Sequence, residues 1–254
     1  MHATYINSWS SVAWAMVLGC TFIAPGCTTT ADFHNIDGVR WYQQGNYQAA
    51  LQHFQQAVAT NPQNADAYYN LGSALHRLGK QTSNRELLTQ AETVYNQCLD
   101  LNDNHVDCRR SLAVLLVETE RAASAEKLLT NWVTRRPDLA DAHIELGRLY
   151  EEFGDLERAR NSLSQAVMVD QRSARAWAAL GAIREKAGER EQALANYQRA
   201  LSLNPQQPGV GARVASLFQS STPDVQIALP PTPPVGSPAT RTVTVPSISA
   251  QPRY

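Results

Sequence analysis

The sequence has almost no excess of charge of either sign. Its 254 residues include 22 lysines and arginines against 23 aspartates and glutamates, a formal net charge of −1 at pH 7. Proteins that bind nucleic acid through its phosphates carry a clustered basic face, and this balance argues against one. The sequence therefore predicts no nucleic-acid partner.

Motifs of catalytic chemistry are missing as well. The sequence contains no nucleophile elbow, no phosphate-binding loop and no zinc-protease helix motif. The adjacent Glu151 and Glu152 do not form a catalytic carboxylate pair, because neighbouring residues on a helix point about 100° apart. We therefore predict a protein that is not an enzyme and that uses no cofactor and no metal.

Charge is absent from one long stretch, SVAWAMVLGCTFIAPG, at positions 11–26. A helix rises about 1.5 Å per residue, so this stretch is slightly short for a hydrocarbon core of about 30 Å. Its position near the N-terminus and the small residues at its end favour a signal peptide over 1–26.

The end of this stretch, IAPGC, resembles the signal of bacterial lipoproteins, in which a small residue precedes a cysteine that becomes lipidated. The resemblance implies lipidation of Cys27 and attachment to a membrane through that lipid. It also implies export to the periplasmic face of the envelope, at the outer membrane in a Gram-negative cell. Lipidation of Cys20, simple cleavage and an uncleaved anchor are the alternatives.

What the sequence does contain is an internal repeat. The segment YQAALQHFQQAVATNP ends at Pro62, and the similar EQALANYQRALSLNP ends 143 residues later at Pro205. That separation equals four periods of 34 residues plus seven residues. The additional seven fall between Lys80 and Ala91, where they predict one lengthened turn. In this frame the five repeats are 31–64, 65–105, 106–139, 140–173 and 174–207.

Three positions in each repeat have a consistent character. The eighth residue is glycine or alanine, the twentieth is alanine and the twenty-fourth is large, as in Gly38, Ala50 and Phe54 of the first repeat. Small residues let two helices approach closely, and the large residue fills the space between them. These positions resemble the tetratricopeptide repeat over 31–207. The resemblance implies an all-α fold, a right-handed superhelical solenoid of five helix-turn-helix repeats.

Two segments follow the repeats. Residues 208–220 predict a capping helix, with Val214, Leu217 and Phe218 on the side that covers the last repeat. Residues 221–254 contain eight prolines and three charged residues, which predicts an extended, disordered tail.

Two cysteines fall inside the repeats. Cys98 and Cys108 are expected on consecutive antiparallel helices, each a few residues from the turn between them. In an exported protein such a pair favours a disulfide. Two buried free thiols, and a metal site that adds His105, are the alternatives, although three ligands without a fourth nearby are a weak zinc signal.

The family resemblance also implies a binding groove. In tetratricopeptide repeat proteins, the concave face is lined mainly by residues two, five, nine, twelve and thirteen of each first helix, and it holds an extended segment of a protein partner. Transferred by position, and with Asn70 at a sixth position, the candidate groove residues are Tyr42, Tyr69, Asn70, Ser73, His76, Arg77, Arg110, Val114, Ile144 and Arg148.

Together these features predict a non-catalytic scaffold or adaptor anchored in the bacterial cell envelope. It resembles tetratricopeptide lipoproteins that act in pilus or secretion assembly or in the regulation of cell-wall enzymes. The alternatives are a structural spacer or self-assembling module, and a regulatory subunit of an envelope enzyme complex.

Overall fold

The computed structural model describes residues 26–219, and side chains from residue 30 onward. This range contains eleven α-helices and no strand, which confirms the all-α prediction. The helices are α1 Gly26–Gln43, α2 Tyr47–Thr60, α3 Ala65–Gln81, α4 Arg85–Leu101, α5 Val106–Glu118, α6 Ala122–Arg135, α7 Ala140–Glu152, α8 Leu156–Val169, α9 Ala174–Lys186, α10 Arg190–Leu203 and α11 Pro208–Gln219. The predicted signal peptide and the predicted tail lie outside the described residues.

The first ten helices form five antiparallel hairpins, one in each repeat. Side chains that precede a helix satisfy its free N–H groups at several starts. Asn46 accepts from the N–H of Ala49 at 3.1 Å, and Asp155 accepts from the N–H of Arg158 at 2.9 Å. These caps fix where the second helix of a hairpin begins, and so they keep the turns short.

Each hairpin is closed tightly around the eighth residue of its repeat. A β-carbon at Gly72 would lie 2.7 Å from the ring of Tyr95, and one at Gly147 would lie 2.7 Å from Leu163. Atoms cannot approach that closely, so these positions need glycine. Tyr95 and Leu163 are the twenty-fourth residues of their repeats once the insertion is allowed for, as the sequence pattern predicts.

The hairpins stack around a main hydrophobic core, and residues of α10 and α11 form a second, smaller cluster. The main core runs from Ala50 in α2 to Ile183 in α9, and its largest fully buried apolar side chains include Phe54, Tyr95 and Trp132. A repeat alone would leave one apolar face in water, and each neighbour covers that face. The core thus depends on the whole stack of repeats.

The last helix covers the final repeat, as predicted. Leu217 of α11 is buried against Ala193 and Tyr197 of α10, and Val214 packs beside them. The predicted place of Phe218 on the same side is wrong, because its side chain is 50% exposed. Residue 218 follows Leu217 by about 100° of helix rotation, so its side chain lies at the edge of the packed side and is half exposed.

The seven additional residues of the second repeat do not lengthen a turn, contrary to the sequence-based expectation. Helices α3 and α4 each have 17 residues. The later first helices α5, α7 and α9 have 13 residues, and the other second helices α2, α6, α8 and α10 have 14. The insertion therefore adds about one helical turn to each member of the hairpin. Leu87 and Leu88 cause this, since they continue the apolar face of α4 and pack over Gly79.

One inter-repeat junction contains a buried cation. The side chain of Arg109 in α5 is only 2% exposed and stacks on the Trp132 ring, with 4.8 Å between the guanidinium carbon and the ring centroid. It donates to the backbone and side-chain oxygens of Asp103, each at 2.6 Å. Burial lowers the pKa of Arg109, against the opposing effect of Asp103. This contact fixes the α4–α5 turn against α6.

Within 26–219, none of the helices combines the length and the apolar character that crossing a bilayer requires.

Candidate partner-binding groove

A groove follows the first helices of repeats one to four. It consists of three adjoining cavities of about 250, 230 and 220 Å³. Tyr42, Tyr69 and Ser73 line both the first and the second cavity, while Arg110 and Val114 line both the second and the third. Nine of the ten predicted groove residues line it, namely Tyr42, Tyr69, Asn70, Ser73, His76, Arg77, Arg110, Val114 and Arg148.

The N-terminal part of the groove is aromatic. The guanidinium of Arg77 lies beside the Tyr42 hydroxyl, and this contact raises the pKa of Arg77. Tyr42 also meets the edge of Tyr47, with 5.1 Å between ring centroids. Burial raises the pKa of Tyr69, against the smaller lowering effect of the nearby Ser73 and Ser111 hydroxyls. These tyrosines are thus held in fixed orientations and present flat, partly apolar surfaces.

A carboxylate links the second and third repeats at the edge of the groove. Glu118 at the end of α5 lies 2.8 Å from the Nε2 of His76 and also receives a hydrogen bond from Lys80. Burial acts to raise the pKa of Glu118, but the hydrogen bonds from Lys80 and His76 outweigh it and the pKa is lowered. Glu118 is therefore charged at neutral pH and holds α5 against α3.

Sequence reasoning missed Glu145, which organises the charges in the C-terminal part of the groove. Its side chain is 3% exposed. Arg110 donates to both of its oxygens, at 2.8 and 3.0 Å, and Arg175 donates to it as well. Arg110 also pairs with Asp107 at 2.7 Å. A buried carboxylate is tolerated only when paired in this way, so Glu145 joins repeats three, four and five.

A positional rule explains this pairing. The fifth residue of one repeat meets the sixth residue of the next. Asn70 donates to Asn35 at 2.9 Å, and Arg110 meets Glu145 in the same relation. Tyr69 and Ser111 are neighbours in the same relation. Glu145 could have been found from the sequence by applying this rule to Arg110.

The same rule shows why Ile144 is not a groove residue, which corrects the sequence-based assignment. Ile144 is the fifth residue of repeat four, and its partner at the sixth position of repeat five is Ala179. Ile144 is 0% exposed within the core, and Ala179 packs partly buried against that core. An apolar pair at these two positions closes the contact between repeats, whereas polar pairs leave side chains at the groove surface.

Arg148 differs from the other cations of the groove. Its side chain is exposed to the solvent within the groove, yet helices surround it. Partial desolvation by these walls, together with repulsion from Arg110, lowers the pKa of Arg148, against the opposing effect of Glu151 and Asp141. Among the described residues, none forms a hydrogen bond or a salt bridge with it.

The two cysteines of the repeats are free and buried in this structure, so the predicted disulfide is not formed. The thiol of Cys108 donates to the backbone oxygen of Tyr95 at 3.2 Å and hydrogen-bonds with Cys98, and this contact and burial raise the pKa of Cys108. Of the alternatives from the sequence, two buried thiols describe the structure. They fill the position of small core residues between α4 and α5.

His105 has a structural role instead of the alternative role of a metal ligand. Its Nδ1 accepts from the N–H of Cys108 at 3.1 Å and caps α5, while its Nε2 lies 2.9 Å from Asp66. Within 26–219 there is no cluster of three or more histidine, cysteine, aspartate or glutamate side chains able to hold a metal ion.

The predicted lipidation site, Cys27, is the second residue of α1, and its side chain lies outside the described part of the structure.

Comparison with known proteins gives similar repeats by sequence and by structure. Family models described as TPR repeat or tetratricopeptide repeat match residues 38–79, 65–105, 128–183 and 174–207. Together they cover more than half of the chain. A thermophilic TPR protein of Thermus thermophilus superposes with a TM-score of 0.56 at 24% identity, over 74% of this chain and 99% of that one.

Two further proteins are similar to this chain at low sequence identity. PilF of Pseudomonas aeruginosa has a TM-score of 0.50 at 18% identity, over 76% of this chain and 86% of that one. The human Protein O-mannosyl-transferase TMTC3 is 27% identical over 169 residues, which are 63% of this chain and 18% of the relative. This chain thus matches less than a fifth of that human protein's length. Proteins built from such repeats generally mediate protein–protein interaction. The chain belongs to the tetratricopeptide repeat family.

Proposed function

We propose that this protein is a non-catalytic scaffold or adaptor that holds an extended segment of a partner protein in the groove. The observation that supports this proposal is the continuity of the groove from Tyr42 in α1 to Arg148 in α7. Oriented tyrosines and arginines line it. Such residues are frequent anchors of binding energy because each offers a large contact area with a polar end.

The size of the groove favours an extended chain over a small molecule. Its three cavities are each about 220–250 Å³ and join end to end, so each can hold one or two side chains of a bound segment. Drug-sized ligands instead use a single enclosed site of about 300–1,000 Å³. A segment that crosses several repeats would contact α1, α3, α5 and α7 together.

A pair of matched variants tests groove binding. Val114 is 38% exposed at the centre of the groove, and Met168 is 68% exposed on the second helix of repeat four. Val114→Arg and Met168→Arg each put a charge on an exposed apolar position, and circular dichroism would verify that both fold. After crosslinking in cells and affinity capture, we expect one partner with the wild type and Met168→Arg but not with Val114→Arg. Equal capture by all three proteins would contradict groove binding.

We propose further that the protein is attached to the bacterial envelope by a lipid on Cys27. The support is the sequence IAPGC directly before the repeats. Expressed in a Gram-negative host with an alkyne fatty acid, the wild type and Cys20→Ser should incorporate label and fractionate with membranes. Cys27→Ser should incorporate none and be released. Label that persists in Cys27→Ser would overturn the assignment.

An assembly role in the envelope fits both proposals. By its resemblance to tetratricopeptide lipoproteins, the protein would act in pilus or secretion assembly or in the regulation of cell-wall enzymes. The relatives named as O-mannosyl-transferases match this chain over less than a fifth of their own length, so we do not assign their activity to this chain.

One observation favours a second candidate, the regulatory subunit of an enzyme complex. The extended α3–α4 hairpin borders two adjoining cavities of about 460 and 430 Å³, with Leu88, Glu118 and Thr119 common to both. An enzyme bound there would contact the insertion and would reach the groove only at its edge, at His76 and Glu118. Leu88→Arg should then abolish capture while Val114→Arg leaves it unchanged, the opposite of the result expected for groove binding.

A further inference from the structure

Among the described residues, none forms a hydrogen bond or a salt bridge with the side chain of Arg148, although the carboxylates of Glu151 and Asp141 act on its charge from a greater distance. Arg110 is bonded to Glu145 and Asp107, and Arg77 lies beside the neutral hydroxyl of Tyr42. Lys80 is bonded to Glu118. A guanidinium has five N–H donors in a rigid fork, and those of the exposed Arg148 are open to an acceptor that enters the groove.

The cavity around Arg148 is mainly apolar. Its volume is about 220 Å³, and side chains from α5, α6 and α7 form its walls. The apolar members of the lining are Ala113, Val114, Leu129 and Leu149. A group that enters this cavity therefore exchanges water for hydrocarbon around a cation. Low local polarity strengthens the attraction between that cation and an incoming anion.

We propose that Arg148 binds the side-chain carboxylate of an aspartate or glutamate in the partner segment, with an adjacent apolar residue of that segment against Val114 and Leu149. This inference rests on the proposed binding of a segment in the groove. A carboxylate matches the two parallel donors of a guanidinium, and such bidentate pairs are short and strong. Arg148 would thus select for acidic residues, while the tyrosines of repeats one and two accept many side chains.

The acidic residues at the border of the cavity favour a single carboxylate over a phosphate group. Glu145 and Glu152 both line it. Glu145 is neutralised by two arginines, but Glu152 is exposed and would repel a group with a charge near −2 more strongly than a group with a charge of −1. A phosphorylated segment is therefore the weaker candidate, and the experiment includes one.

Selection of peptides tests this directly. We would select end-blocked random dodecapeptides on the full protein, on Arg148→Gln and on Arg199→Gln. Arg199 is an exposed arginine of α10, outside the groove, and serves as the matched control. Wild type and Arg199→Gln should enrich peptides with aspartate or glutamate beside an apolar residue. Arg148→Gln should still enrich aromatic and apolar peptides but lose the acidic preference.

The affinity of one selected peptide measures how much its acidic residue contributes to binding. Replacing its acidic residue by glutamine or asparagine should weaken binding to the wild type about tenfold and leave binding to Arg148→Gln unchanged, as the loss of one charged hydrogen-bonded pair implies. A phosphoserine in that position should bind more weakly than the carboxylate. An acidic preference that survives in Arg148→Gln, or tighter binding of phosphoserine, would overturn the proposal while groove binding stands. If the wild type enriches no peptide, both proposals fail.

Discussion

The turn of each of the five hairpins contains one residue in the left-handed backbone conformation. Gly45, Gly154 and Gly188 have φ between 77° and 79°, which glycine adopts at little cost. In the other two turns the same role falls to Ser83, with φ 52°, and to Glu120, with φ 63°. A side chain in this left-handed region costs about 1 kcal/mol, so those two turns are strained.

Replacement of Glu120 by glycine should therefore stabilise the protein. We expect Glu120→Gly to raise the free energy of unfolding by about 0.5–1 kcal/mol, because the strain at this position disappears. The opposite kind of change in another turn, Gly154→Ala, should lower the free energy of unfolding by about 1 kcal/mol. A β-carbon there meets no atom within 4 Å, so only the backbone conformation is affected. Urea denaturation measures both. A loss of stability in Glu120→Gly would show that its side chain contributes more than the strain costs.

The pairing of Glu118 makes part of the stability dependent on pH. Its pKa is lowered in the folded protein, so its contribution is complete at neutral pH and is lost as pH falls through the folded pKa, below the usual value near 4.5. Glu118→Gln should be less stable than the wild type at pH 7 by under about 1 kcal/mol, because the carboxylate is about one third exposed. The difference should shrink in urea titrations at pH 3.5. Glu191→Gln, on the exposed side of α10, should show no such change.

At the scale of the element, helix pairs are defined by how closely two backbones approach. The small eighth residue and the large twenty-fourth residue form one packing unit in each hairpin. Where the eighth residue is glycine, the aromatic or aliphatic partner occupies the space that a β-carbon would need. The extended second hairpin keeps this unit and adds a further contact, that of Gly79 with Leu87 and Leu88.

Gly147→Ala should destabilise this packing unit. The added β-carbon would lie 2.7 Å from Leu163 and 3.3 Å from the backbone oxygen of Ala159, so α7 and α8 must separate. We expect a loss of about 1–3 kcal/mol, measured as a lower urea midpoint. Gly211→Ala in α11 is the control, because open space surrounds that position and alanine favours a helix by about 1 kcal/mol. Equal effects of the two changes would refute close approach as the cause.

At the scale of the whole molecule, stability comes from neighbours in the stack. The main core joins α2 to α9, whereas the side chains of Ala193, Tyr197 and Leu217 form a separate small cluster in α10 and α11. In a repeat array, each interface contributes its own share of stability, and an end with few buried contacts opens first.

Native-state hydrogen exchange should therefore show faster exchange in α10 and α11 than in α3 to α8. Leu217→Ala should increase exchange further at the C-terminal end, because the cavity that it leaves should lower the local stability there by about 2–3 kcal/mol. Mass spectrometry of peptides resolves the two regions. Exchange that increases equally in α3 and α10 would mean that the array unfolds as one unit, in contradiction to a separate terminal cluster.

The sequence by itself determined the repeat, the helices and the packing unit within each hairpin. These follow from local periodicity: a small residue at position eight, alanine at position twenty and a large residue at position twenty-four are legible in every copy. The positions of most groove residues came instead from the resemblance to tetratricopeptide repeat proteins, transferred position by position onto this sequence. Tyr42, Tyr69 and Arg148 were found in this way.

Only the tertiary structure decided what lies between repeats. Whether Ile144 is buried depends on the residue that the next repeat places opposite it, and the buried position of Glu145 depends on Arg110 and Arg175 from two other repeats. The seven additional residues became helix because Leu87 and Leu88 found a surface at Gly79. These outcomes are contacts between segments that are distant in sequence. The energy of such a contact depends on both residues, so neither segment alone reveals it.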